Sequence, residues 1–348
     1  MTATPALEAV SPKETHGEIP ARTGAPLLAV EGLRTWFHTF SGTVKAVDGV
    51  SFALRPGEIM GLVGESGGGK SVVGFSILGL IDPPGRIEDG RILFEGRNLA
   101  GLSEAELRQI RGRDIAMVFQ DPMTSLNPLH TVGRQMDEML QLHTGLDAAA
   151  RRARCIEMLE SVGISRAADR LSAYPHQFSG GMRQRVVIAI AMLARPKLVI
   201  ADEPTTALDV TIQAQILKLM RRQIRDNGTA MILVTHDLAV VSEMADHITV
   251  LYCGKVVERG PTDDVIRRPA HPYTRGLIDS IPDPAHRQPR LKQIPGAVPD
   301  IRKLPKGCSF KDRCFRAEAL CGERVPELVV QGDRAHACHF PLTEGDSR

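Results

Sequence analysis

The sequence predicts an α/β fold with a mostly parallel core sheet, and three observations carry that expectation. Residues 64–71 read Gly-Glu-Ser-Gly-Gly-Gly-Lys-Ser, a phosphate-binding loop set between a strand-like apolar run at 58–63 and a helix-like one at 72–78. Two further apolar runs, Leu198-Val199-Ile200-Ala201 and Met231-Ile232-Leu233-Val234, end in Asp202-Glu203 and Thr235-His236-Asp237. Buried parallel strands end this way when their carboxyl ends feed a site. Between such runs the apolar period is helical.

Composition bounds the rest. At 348 residues, 43% hydrophobic and 24% charged, the chain has room for two or three domains and a large core. A formal net charge of +2 predicts no general attraction to nucleic acid, and the ten Phe, three Tyr and one Trp form no base-stacking platform among basic residues. No apolar run reaches the ~18–20 residues that span a bilayer. Residues 1–26, rich in Ala, Pro, Glu and Thr, read as a disordered leader rather than a signal peptide. The expectation is a cytosolic chain that meets membrane only through a partner. Six cysteines in a reducing compartment then point to metal or packing rather than disulfides.

Residues 27–54 alternate apolar and polar side chains, the period of half-buried antiparallel strands, and Pro56-Gly57 turns the chain toward the phosphate loop. Phe37 and Phe40 lie upstream; each suits a nucleotide base stack or an ordinary sheet face. In the loop, Gly64, Gly67, Gly68 and Gly69 let the backbone curl with Glu65 and Ser66 and aim N–H groups at phosphate oxygens. Lys70 would reach the β- and γ-phosphates, and Ser71 would ligate Mg2+. The next helix turns its positive N-terminus to the same phosphates.

Residues 93–98 form a strand and turn, and Ser103 with Glu106 caps a short helix. The apolar run 115–119 is a strand ending in Gln120, followed by a patternless loop at 121–129. Val132, Met136, Met139, Leu140, Ile156, Leu159 and Val162 recur at three- and four-residue spacings, a helical insertion over about 131–178. Ser179, Gly180, Gly181, Met182, Arg183 and Gln184 open another helix, whose bare N–H groups suit a second anion. Asp202 is placed to hold Mg2+ through water, and Glu203 to orient and polarise an attacking water. Asp209 precedes a helix, and His236 ends a strand where a histidine is more often structural than catalytic. Residues 248–251 and 256–257 close the region as a hairpin around Gly254.

In this order, the phosphate loop, Gln120, residues 179–184, Asp202-Glu203, Asp209 and His236 resemble the ATP-binding subunits of ABC transporters, over about 27–261. The Ser-Gly-Gly signature separates that family from other P-loop NTPases. The resemblance implies an ABC ATPase with an antiparallel β subdomain and a helical subdomain. Two such subunits sandwich two ATP molecules head to tail. ATP would be held by Phe37 on the base, by residues 64–71, and by Gln120, Asp202 and His236, with Mg2+ on Ser71, Gln120 and Asp202. Glu203, His236 and Gln120 would carry the hydrolysis. Residues 179–184 would serve the nucleotide of the partner subunit, and Asp209 would lie at the subunit interface. Gly68 stands where relatives commonly have Ser, with little consequence expected because backbone amides make the cradle.

Past Pro261 prolines accumulate, predicting an extended, loop-rich extension over 262–348. Cys308, Cys314, Cys321 and Cys338, spaced C-x5-C-x6-C-x16-C, form a concentrated ligand set, whereas Cys155 and Cys253 suit packing. Structural zinc sites usually include tight C-x2–4-C pairs. The wider spacing suits a cubane cluster, although His336 and His339 could complete a zinc site. The tail, with His271-Pro272-Tyr273-Thr274 and Asp-Pro-Met-Thr-Ser-Leu-Asn-Pro at 121–128, resembles the oligopeptide/dipeptide/nickel branch. Some members of that branch carry a 4Fe-4S cluster here, which favours the cluster over Zn2+, in a structural role.

The resemblance therefore implies an ATPase powering import of di- or oligopeptides or similar small solutes; nickel, opine and glutathione importers would look alike. It implies a second related ATPase subunit, two membrane permeases whose coupling helices meet the segment between Gln120 and Ser179, and an extracytoplasmic solute-binding protein. The location would be peripheral, on the cytoplasmic face of the inner membrane. The rival, a soluble ABC ATPase acting on DNA or ribosomes, would carry a long coiled-coil insertion or two ATPase halves, and this sequence has neither.

Overall fold

The alternation over 27–54 folds as a long antiparallel hairpin, β1 (Leu28–Thr39) with β2 (Gly42–Leu54), in a computed structural model that describes residues 24–206, 208–281 and 292–343. The fully buried β3 (Ile59–Val63) leads through the glycine-rich loop into α1 (Lys70–Leu78). The chain then returns as β4 (Gly85–Phe94) and β5 (Arg97–Asn98), completing a four-stranded antiparallel sheet in the order β2-β1-β4-β5. α2 (Glu104–Ile110) starts at the expected capping box, Ser103 and Glu106 each accepting the other's backbone N–H.

The remaining apolar runs build a second sheet. After β6 (Ile115–Val118) come α3 (Pro122–Ser125), α4 (Val132–His143), α5 (Ala148–Ser161), α6 (Ala167–Arg170) and α7 (Gly180–Leu193). β7 (Leu198–Asp202), α8 (Val210–Asn227), β8 (Ala230–Thr235), α9 (Leu238–Met244), β9 (His247–Tyr252) and β10 (Lys255–Pro261) follow. Strands β6, β7, β8, β3 and β9 lie in that spatial order and all run parallel. Their carboxyl ends therefore share one edge, which is what positions the site. Of the spaced apolar residues of the insertion, Val132, Met136, Leu140, Leu159 and Val162 are buried and Met139 and Ile156 are partly buried, and both helices pack on α7.

Two expectations need correction. Residues 121–129 are not all loop. Asp121 accepts the Met123 N–H and Pro122 occupies the first helical turn, so one turn of helix forms that is too short to show a period. The extension is also more ordered than its prolines suggested. It supplies α10 (Thr262–Arg267), α11 (Pro272–Asp279), α12 (Ala319–Glu323), β11 (Val329–Gln331) and β12 (Arg334–His336). β12 pairs with β10 and β11 with β12, so the tail widens the main sheet to eight strands. Val265, Tyr273, Leu277 and Phe310 join the same buried cluster as Val63 and Tyr252; the tail borrows a core rather than building one. The leader expected over 1–26 lies, up to residue 23, outside the described residues. Among the described residues no helix is long and apolar enough to cross a membrane.

Candidate active site

Parallel pairing sets Val63 beside Thr235, Val234 beside Asp202 and Ala201 beside Val118. The phosphate loop, His236, Asp202-Glu203 and Gln120 consequently leave the sheet as neighbours. Ser71 Oγ donates to Asp202 Oδ1 at 2.9 Å. Glu203 is the centre of the rest: its Oε2 accepts from Gln120 Nε2 at 3.1 Å and from Thr206 Oγ at 2.9 Å, and its Oε1 lies 3.1 Å from His236 Nδ1. The backbone of Glu203 has φ 46, left-handed and costly for a residue with a side chain. Its N–H is anchored to Val234 O at 2.8 Å, and the kink swings the carboxylate off the strand line into the site.

Charges at this edge perturb one another. Burial lowers the Lys70 ammonium, against the pull of Glu203, Asp202 and Glu65. Its Nζ rests on the carbonyls of Gly64 and Glu65 at 2.8 and 3.0 Å. Burial raises the Asp202 carboxyl; Glu203 adds to the rise, and Ser71 and Lys70 oppose it. Burial also pushes Glu203 upward, but hydrogen bonds from His236 and Thr206, with the charges of His236 and Lys70, outweigh it and leave the carboxyl below its ordinary value. Glu203 is thus ionised and aimed by three donors, the state a proton acceptor needs.

The loop's glycines are not equivalent. A Cβ on Gly64 would lie 2.2 Å from Leu251 O, and one on Gly69, where φ is +92, 2.1 Å from Ala46 O. At Gly68 the nearest atom is Glu65 O at 3.0 Å, a tight contact but far less severe than at Gly64 or Gly69, and no left-handed φ applies.

Other site candidates lie apart from this cluster. Phe37 is part-buried in β1, its ring against Gly85, while Phe40 is fully exposed. Ser179 caps α7, its Oγ accepting the Met182 N–H at 3.3 Å, and Arg183 Nε donates to Pro175 O at 2.8 Å. Gly181 sits under Ile212, whose N–H Asp209 accepts at 2.9 Å, so the signature and Asp209 share one surface. Among the described residues no hydrogen bond joins residues 179–184 to the phosphate loop.

In the extension Cys308, Cys314, Cys321 and Cys338 line one small cavity with His271 and Phe310. The Cys308 N–H donates to Cys321 O at 2.8 Å, and a Cβ on Gly307 would lie 2.2 Å from that oxygen. The Arg316 N–H, two residues on, donates to the Cys314 sulfur at 3.4 Å. Burial raises the thiols of Cys308 and Cys314, and that of Cys338 to about 11. Among the described residues no group of three or more His, Cys, Asp or Glu is set to grip a metal ion. The His-Pro-Tyr-Thr stretch acquires a physical role. Buried His271, driven down to about 3 and so neutral, caps α11 by accepting the Tyr273 N–H at 3.0 Å.

Three residues of these sites escaped the sequence. Thr206 holds Glu203 from three positions on, without a motif to flag it. Tyr273 and Arg313 reach Glu65 from far along the chain, a contact no local pattern encodes.

Residues 47–206 match the family model described as ABC transporter, and residues 257–321 the one described as oligopeptide/dipeptide transporter, C-terminal region. A putative peptide import ATP-binding protein of Brucella abortus is 49% identical over 314 residues, covering 90% of this chain and 95% of the relative. The dipeptide transport ATP-binding protein DppD of Escherichia coli is 47% identical over 319 residues, covering 91% and 98%. Among solved structures, the ATP-binding cassette MJ0796, in a dimeric post-hydrolysis state with ADP and Pi, matches with TM-score 0.61 at 26% identity, covering 68% of this chain and 98% of that one. CbiO1 of Clostridium perfringens, part of an ABC transporter complex, matches with TM-score 0.60 at 28% identity, covering 70% and 91%. With a nucleotide-type loop, its acidic partner strand and these relatives together, the chain belongs to the ATP-binding subunits of ABC transporters, in the branch that carries the oligopeptide/dipeptide C-terminal region.

Proposed function

We infer that this ATPase drives import of di- or oligopeptides or similar small solutes through membrane permeases. The convergence of Gln120, Thr206 and His236 on the Glu203 carboxylate, beside the Ser71–Asp202 pair, carries the ATPase half of the reading. The names of the relatives support the cargo class. Residues 64–71 hold the phosphates of ATP, Lys70 leaving the loop carbonyls for them, with Phe37 at the base. The polar, part-buried Ser71–Asp202 pair suits a hard cation; Ser71, Gln120 and Asp202 would hold Mg2+, which would supply charge neutralisation at the phosphates. Glu203 takes the proton of the attacking water at a carboxylate oxygen, Gln120 and Thr206 hold that carboxylate in place, and His236 faces the γ-phosphate.

Residues 179–184 share a surface with Asp209 and make no bond to their own phosphate loop, which supports a head-to-tail pairing with a second ATPase subunit. The isolated chain is then a poor ATPase. Two permeases and an extracytoplasmic solute-binding protein complete the importer, with this chain peripheral on the cytoplasmic face of the membrane. Uptake of a labelled dipeptide by a deletion strain should fall to background and return with the wild-type gene, and permeases should copurify in mild detergent. Recovery of no permease and unchanged uptake of every small solute tried would favour a soluble role.

The four thiols of the extension line one cavity and the Arg316 N–H points at the Cys314 sulfur, and with the wide C-x5-C-x6-C-x16-C spacing a 4Fe-4S cluster in a structural role is the reading we adopt over Zn2+. Cys308, Cys314, Cys321 and Cys338 would hold it. Anaerobically purified protein should contain iron and sulfide and absorb near 400 nm; stoichiometric zinc instead would overturn the assignment.

A further inference from the structure

The extension reaches the phosphate loop through Glu65, the loop's second residue. Arg313, buried between two of the cysteines in sequence, donates Nη1 to Glu65 Oε2 at 2.6 Å and Nη2 to Oε1 at 2.9 Å, a two-point ion pair. Its Nε is occupied by Pro295 O at 2.9 Å, and Nη1 also lies 3.3 Å from Tyr252 Oη. The fully buried Tyr273 accepts the Glu65 N–H on its hydroxyl at 2.8 Å. The Glu65 carbonyl meanwhile accepts from Lys70 Nζ at 3.0 Å and from the Gly68 N–H at 3.1 Å. Every polar group of Glu65 is thus committed, its carboxylate and N–H to the extension and its carbonyl to the loop's lysine and central turn.

The clamp is continuous with the four-thiol cavity. Tyr252, Tyr273 and Phe310 form a three-ring cluster, with centroids 4.6 Å apart for the two tyrosines and 5.3 Å for each tyrosine with Phe310. Arg313 lies 5.9 Å from the rings of both Tyr252 and Phe310. Phe310 in turn lines the cavity of the four thiols. Two physical problems are answered here. A loop with glycine at four of eight positions has much freedom to lose on binding, and fixing one residue at its N–H, carbonyl and carboxylate removes part of it beforehand. An anion cradle also carries, at Glu65, a carboxylate that would repel phosphate; Arg313 neutralises it.

We propose that Arg313 and Tyr273 are positioning residues for the nucleotide site, through which the four-cysteine extension holds the phosphate loop by Glu65 and sets its affinity for MgATP. This rests on residues 64–71 being the nucleotide site. The test is calorimetric titration of MgATP into the full chain, wild type and variants, with melting curves recorded without nucleotide and steady-state hydrolysis measured in the assembled transporter. Arg313→Ala should weaken binding by about ten- to thirtyfold and raise the KM for ATP in parallel, with kcat within about twofold. Arg313→Lys, which keeps the charge and loses the fork, should fall between. The Glu65→Gln/Arg313→Ala double variant should bind more tightly than Arg313→Ala alone, because the orphaned carboxylate is gone; damage to the fold alone would not give that recovery. Tyr273→Phe should weaken binding about threefold. Wild-type affinity in Arg313→Ala, or a double variant no better than the single, overturns the proposal. If Arg313→Ala does not fold, wild-type affinity in Tyr273→Phe and Arg313→Lys overturns it equally. A wild-type chain that does not bind MgATP sinks the nucleotide-site reading instead.

Discussion

Glu203→Gln should lower ATP turnover by about 10²–10⁴-fold while MgATP still binds. Glutamine has the shape of glutamate and keeps one acceptor oxygen, so the contacts to Gln120, Thr206 and His236 are mostly retained. What disappears is the ability to accept a proton. Turnover of the assembled transporter, with binding measured on the same preparation, reads both quantities, and unchanged turnover would remove Glu203 from its role. The pH behaviour follows from the same contacts. A carboxyl held below its ordinary value is ionised above it and lost as base only when pH falls through the depressed pKa. Glu203 should therefore impose no acid limb on the rate above about pH 4.3, the ordinary glutamate value.

Gly69→Ala should cost about 2–5 kcal/mol of stability and abolish measurable nucleotide binding. A left-handed φ costs an L residue about 1–2 kcal/mol. The added methyl also meets Ala46 O at 2.1 Å, a backbone atom of the neighbouring strand that cannot step aside, and overpacking of this kind adds about 1–3 kcal/mol. Gly69 is the N-cap of α1, so any shift moves the N–H groups that face the phosphates. Gly68→Ala is the internal comparison, expected to cost under about 1 kcal/mol because only the Glu65 carbonyl, at 3.0 Å, must yield. Urea unfolding and MgATP titration of the two variants check the contrast; equal behaviour would mean that close approach does not explain these glycines.

Legibility followed the range of the interactions. The phosphate loop, the capping box at Ser103 and Glu106, the buried parallel strands and the helical insertion are written in periods and short spacings, and they were readable for that reason. The single turn of α3 was not, because four residues show no period and its signal is only Asp121 with Pro122. The extension was read as loop-rich, and most of its described residues lie outside helices and strands, but prolines say nothing of where a short strand can pair. β12 is stable because β10 offers it an edge.

By itself the sequence determined which groups could do chemistry: a glycine-rich anion cradle with Lys70 and Ser71, acids at a strand end in Asp202 and Glu203, and four clustered thiols. Only the tertiary structure decided which of them meet. Parallel register gathered Gln120, Glu203 and His236 at one sheet edge and left residues 179–184 on another surface. Packing brought Arg313 to Glu65 across 248 residues. The reason is that bonding type is a property of each residue, whereas proximity between distant residues is set by how buried faces stack, and no local pattern records that.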